Sequence, residues 1–66
     1  MRVRYDEHAD ALYVRLADAS IVESEEVTPG VVLDFDERGE VVGFEFLQAL
    51  ERRPSADLRH MDFEVT

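Results

Sequence analysis

Asp6, Glu7, His8 and Asp10 gather three carboxylates and an imidazole within five consecutive residues. Carboxylate and imidazole together ligate divalent metals, and a histidine beside an aspartate can run general acid–base chemistry. A site of either kind draws on a second segment to complete its geometry. The other histidine, His60, lies near the C-terminus, and no Ser or Cys nucleophile stands near either one. The segment therefore reads first as a polar connection in which Asp6 and Asp10 hydrogen-bond the backbone of a turn, with Ala9 and Ala11 as the small residues beside it. Asp6, His8 and Asp10 stand as the candidates for a metal or acid–base site, and no catalytic residue or cofactor is assigned.

Asp34, Asp36, Gly39 and Glu45 overlay part of a calcium loop. The overlay fails at Arg38, which brings a cation where an oxygen ligand is needed, and the flanks alternate like strands rather than helices. Alternation around a glycine turn produces the same letters, so this segment reads as a hairpin. Phosphate chemistry finds no support. Gly30, Gly39 and Gly43 stand apart from one another, and the chain has no lysine to reach a phosphate.

The elements that must position these residues are mostly strands. Val3 and Tyr5 alternate with Arg2 and Arg4, and Leu12, Val14 and Leu16 alternate with Tyr13 and Arg15. Val22–Val27 is a weaker strand, because Glu23, Glu25 and Glu26 would be costly at a sheet centre; at an edge they deter pairing with another chain. Thr28-Pro29-Gly30 suits a type II turn, and Glu37-Arg38-Gly39 a type I turn closed by a left-handed glycine. Between and after them, Val31, Leu33, Phe35, Val42, Phe44 and Phe46 fall on one side. From Phe46 the spacing of Leu47 and Leu50 turns helical, and Pro54 ends the helix after Arg52 and Arg53.

The expected fold is a small α+β domain: an antiparallel meander of four or five strands, then a short helix packed on one face. It occupies residues 1–53, with a C-terminal tail over 54–66 whose Leu58, Met61, Phe63 and Val65 could dock. A two-turn helix covers about half of the inner face, and the remainder is an apolar patch of the kind that marks an interface.

Composition narrows the function classes. The chain has 66 residues, 16 acidic and 7 basic side chains, a net charge of −9, 45% hydrophobic residues and no cysteine. Disulfides and thiolate zinc sites are thereby excluded. So acidic a body repels phosphate backbones, which argues against nucleic acid as a partner. The longest charge-free run, Val27–Leu33, is far shorter than the ~20 residues that cross a bilayer, and the charged start offers no apolar signal sequence. A cytoplasmic protein with no membrane partner is the expectation. Acidity promotes solubility and steers toward basic partners.

The stretch Tyr5-Asp6-Glu7-His8-Ala9-Asp10-Ala11-Leu12-Tyr13-Val14-Arg15-Leu16 resembles the YDxxADALYIxL opening of the small prokaryotic proteins grouped as domain of unknown function family 2283. The likeness continues through Glu23–Asp36, the Gly39 turn and Val41–Glu45, and spans about residues 3–53. It departs at Gln48-Ala49-Leu50-Glu51-Arg52-Arg53, where the pattern calls for a small polar residue and a Lys-Arg pair. The resemblance implies a small α+β protein and an antitoxin-like association with small basic proteins. It brings no established activity, catalytic residue or cofactor.

Residues and resemblance together point to a protein–protein interaction module, as a homodimer or as the acidic partner of a basic protein. Its expected contacts are Glu23, Glu25, Glu26, Leu50 and Phe63. The competing reading is a small metal-binding protein or enzyme centred on Asp6, His8 and Asp10.

Overall fold

Alternating side chains become a sheet when their apolar members can be lined up, and here five strands align them. The computed structural model describes residues 1–66. It contains β1 (Arg2–Asp6), β2 (Ala11–Arg15), β3 (Glu23–Thr28), β4 (Val31–Phe35), β5 (Val41–Leu47) and α1 (Ala49–Arg52). All neighbours are antiparallel, in the order β1-β2-β5-β4-β3.

The α+β class and the single five-stranded sheet agree with the alternation. The meander is confined to β3, β4 and β5, since β2 lies beside β5 rather than β3. Pairing explains the order: β5 sets Phe44 against Val14 and Phe46 against Leu12, whereas β3 offers glutamates and goes to the edge. The chain between β2 and β3 crosses the end of the sheet. Leu16 and Ala17 donate to the Val42 carbonyl there, and Val22 donates to that of Phe35. Arg15 clips this crossing through the carbonyls of Ala17 and Ala19.

Register assigns the faces. Val3, Val14, Phe44, Leu33 and Glu25 form one row across the sheet, and Tyr5, Leu12, Phe46 and Val31 form the next on the same face. Arg4, Tyr13, Glu45, Val32 and Glu26 make a row on the opposite face. The apolar face is held by packing within its own layer, including an edge-to-face pair of Phe44 and Phe46 at 5.4 Å.

The helical spacing begins later than the sequence suggests. Phe46 and Leu47 pair with Leu12 and Ala11 and so extend β5, which leaves α1 four residues long with no buried side chain. This helix closes one end of the sheet and leaves most of the apolar face open. The tail lies along that end with Leu58 half-buried, while Met61, Phe63 and Val65 are exposed.

Pro29 and Gly30 form the turn between β3 and β4, with Gly30 at φ 82° as a type II turn requires. Gly43 is constrained by space. A Cβ there would stand 2.8 Å from the Val14 carbonyl oxygen and against the Asp34 carboxylate. Gly39 has open space but a φ of +78°. Gly43→Ala is expected to cost about 1–3 kcal/mol through overpacking, and Gly39→Ala about 1–2 kcal/mol through left-handed strain. Asparagine tolerates that conformation, so Gly39→Asn should recover most of the loss while Gly43→Asn should not. Urea-unfolding midpoints of the four variants check this.

Candidate functional site

Asp6 and Asp10 flank a tight connection, and their carboxylates do different work. Asp6 Oδ1 accepts from the backbone N–H of His8 and of Ala9, at 3.0 and 3.1 Å, which closes the β1–β2 turn as its position suggests. Asp10 does not serve that turn. Its backbone is left-handed at φ 51°, a conformation that aspartate tolerates, and this turns its side chain toward α1.

There Asp10 completes a helix start that has no cap of its own. Gln48, at the N-cap position, is left-handed and makes no capping bond. Asp10 supplies it from a distance of about forty residues in sequence. Its carbonyl accepts from Ala49 N–H at 2.9 Å, Oδ1 from Leu50 N–H at 2.8 Å, and Oδ2 from Glu51 N–H at 3.1 Å. Three of the N–H groups that a helix leaves unpaired are thus satisfied by one residue. Oδ1 also accepts from the Tyr5 hydroxyl at 2.6 Å. That bond, then the Leu50 N–H, hold the Asp10 carboxyl below its ordinary range. In return, the bond to Asp10 pushes the Tyr5 hydroxyl up to about 12.

This arrangement bears on the metal and acid–base candidates. Asp10 directs both carboxylate oxygens to backbone N–H groups and Tyr5, Asp6 directs Oδ1 to backbone N–H groups, His8 is exposed, and no three His, Asp or Glu side chains are grouped to share a metal ion. Asp36 behaves like Asp6: it accepts from Arg38 and Glu40 N–H groups and closes the β4–β5 turn. The segment from Asp34 to Glu45 is therefore a hairpin.

Asp34 is the one buried charged residue. Gly43, directly opposite, leaves room for its carboxylate, and Ser24 Oγ donates to it at 2.7 Å. Glu45 lies beside it. Burial, then the hydrogen bond to Asp34 and its negative charge, push the Glu45 carboxyl up to about 6. The pair borders a shallow cleft of about 330 Å³ shared with Arg2, Arg4, Tyr13 and Arg15. Arg4 stacks its guanidinium over Tyr13 at 4.8 Å, and Arg15 is engaged with carbonyls. Strand alternation puts these side chains on one face; that Glu45 comes to lie beside buried Asp34 was not visible, because they stand on different strands.

The largest uncommitted surface is the apolar face. Only Ala11 and Val42 are buried hydrophobic residues, while Val3 is 38%, Phe46 39% and Leu16 48% exposed. Leu12, Val14, Val31, Leu33, Phe35 and Phe44 are half-buried. Of the expected contact residues, Glu23, Glu25 and Glu26 are exposed on edge strand β3. Leu50 is half-buried beside the tail, and Phe63 is exposed in it. No helix is long and apolar enough to cross a membrane.

The family model described as protein of unknown function (DUF2283) matches residues 2–49, and the chain belongs to that family. The matched span holds all five strands and stops at the first residue of α1. No curated protein and no solved structure matches the chain.

Two consequences are measurable. Asp10→Ala should release α1, seen as fast exchange of the Leu50 and Glu51 amides, whereas Tyr5→Phe should keep them protected. Because the folded Asp10 carboxyl lies below its ordinary 3.8, its contribution is complete above that pH and is lost as pH falls through the folded value. Glu45 has the opposite sign. Its folded carboxyl holds a proton more tightly than the ordinary 4.5, so its contribution is complete below pH 4.5 and is lost as pH rises to about 6. Stability profiles should show Glu45→Gln gaining on the parent chain across that window and keeping a constant advantage above it.

Proposed function

We propose that this family member is a protein–protein interaction module whose working surface is the apolar face of the sheet. The observation that carries the reading is that face itself: aromatic and branched side chains from four strands stand in register, and Val3 and Phe46 among them are more than a third exposed. Exposed apolar patches of this kind mark binding surfaces in soluble proteins. The alternative, chemistry at the β1–β2 loop, has less support, since both Asp10 oxygens and Asp6 Oδ1 hold backbone N–H groups.

Two partner classes follow. A second copy of the chain suits the apolar face. A basic protein suits the edge, where Glu23, Glu25 and Glu26 are all exposed on one strand. Such a carboxylate group accelerates encounter with a cationic surface, and apolar burial supplies the affinity. Leu50, which lines the cleft beside Tyr5 and Leu58, and exposed Phe63 are the anchors proposed for that partner.

The test compares Val14→Asp, on the apolar face, with His8→Ala, in the loop. Association should be lost in the first and unchanged in the second, whether measured as self-association by light scattering or as proteins captured from a native lysate. A basic partner should also bind more slowly to the Glu23/Glu25/Glu26→Gln variant. Loss of association in His8→Ala alone would overturn the reading.

A further inference from the structure

The two outer strands of the sheet, β1 and β3, each have one free edge, and the edges differ. β3 is blunted by Glu23, Glu25 and Glu26 and by a register shift before Thr28. β1 pairs with β2 without a shift and carries exposed Arg2 and Arg4. Its bonding groups can be assigned. Leu16 donates to the Val42 carbonyl, and bonded positions alternate along an antiparallel strand. Leu12 and Val14 therefore bond toward β5, and Tyr13 and Arg15 toward β1. Arg4 and Arg2, opposite them, bond inward, which leaves the N–H and carbonyl groups of Val3 and Tyr5 facing the open edge.

The C-terminal segment holds a matching pattern. Met61, Phe63 and Val65 alternate with Asp62 and Glu64, the period of a half-buried strand. Yet all three apolar side chains are exposed, and no backbone group beyond His60 is hydrogen-bonded. The fold delivers this segment to β1. Leu58 and Arg59 line a cleft with Tyr5 and Glu7. Asp57 turns the chain there, accepting from Arg59 N–H through Oδ1 at 3.0 Å and from His60 N–H through its carbonyl at 3.4 Å. Arg59 then pairs with Glu7 at 2.7 Å. An exposed ion pair adds little stability, but this one marks where the tail meets β1.

We infer that the open edge of β1 is a strand-addition site whose occupant is the chain's own segment Met61–Val65, joined as a sixth, antiparallel strand. With Arg59 opposite Glu7, each step along the tail is a step back along β1. Met61 then meets Tyr5, Asp62 meets Arg4, Phe63 meets Val3 and Glu64 meets Arg2. Directly opposite residues share a face, so both apolar pairs fall on the apolar face and both ion pairs on the polar one. A slip of one residue would put every side chain on the wrong face. A slip of two sets Asp62 against Asp6 in one direction, and in the other leaves Glu64 beyond the end of β1. The register marked by Arg59 is the one that pairs both acids with both arginines. Phe63 then stands beside Val3 at the border of the apolar face, and the addition is independent of the partner proposed for that face.

Amide exchange reads the addition directly. The Val3 and Tyr5 amides should exchange about tenfold more slowly in the unmodified chain than in Phe63→Pro, which lacks the N–H that bonds β1, while β5 amides stay protected in both. Equal exchange of the two amides in the two chains would overturn the site. Absence of native cysteine allows a second measurement. Arg4→Cys/Asp62→Cys places thiols at a non-hydrogen-bonded pair, where Cα atoms lie about 4.5 Å apart, within disulfide range. Mild oxidation should link them within one chain, and faster than in Arg4→Cys/Phe63→Cys, whose side chains leave opposite faces. A disulfide formed between chains instead would overturn the chain's own segment as the occupant, the strand then being exchanged between copies. Equal rates for the two variants would overturn the register.

Discussion

A sheet with one apolar face is stabilised by what packs over that face, and in these 66 residues little is left to do so. Five strands use most of its length, and what remains is the single turn of α1 and an exposed tail. At this size a chain buries only about 60% of the surface that unfolding exposes. Here the shortfall is extreme, with five buried residues in 66 and two of them glycine. The strand order follows from the same constraint. The most apolar strands, β2, β5 and β4, lie together in the middle, the crossing between β2 and β3 allows that, and the acidic strand is left at an edge.

With little core to hold it, the molecule relies on polar devices at its turns. Asp6, Asp10 and Asp36 each place a carboxylate on backbone N–H groups that would otherwise be unpaired. Asp10 reaches furthest. It joins β1 through Tyr5, the hairpin through its own backbone, and α1 through three N–H groups. A helix of one turn has no stability of its own. Its position depends on this residue, and the same side chains that might have served as ligands are consumed in the task.

The opposite face is built on a different compromise. Gly43 gives up a side chain so that Asp34 can sit buried against β5. The Ser24 hydroxyl donates to that carboxylate and offsets part of the cost of placing it there. Around this pair Arg4 is engaged with a ring and Arg15 with carbonyls, on a polar surface with a shallow cleft. The two faces thus divide the molecule into a polar side and an apolar side.

Much of this was legible before any coordinates. The period of two in Arg2–Tyr5, Ala11–Leu16, Val31–Asp36 and Glu40–Phe46 determined which side chains share a face, because a pleated strand alternates whatever its neighbours are. The turn residues Pro29-Gly30 and Gly39, and the turn-closing role of Asp6, are likewise local matters. Strand order was not local: β2 chose β5 over β3 by comparing surfaces thirty residues apart, and that choice also turned Phe46 and Leu47 from helix into strand. Nor could spacing reveal that Asp10 caps α1, or that Glu45 comes to lie beside Asp34, since each partner stands on another segment. Sequence alone determined the faces and the turns, because they depend on neighbouring residues. Only the tertiary structure decided the pairing, the helix cap and the openness of the apolar face, because these depend on what the rest of the chain brings within a few ångströms.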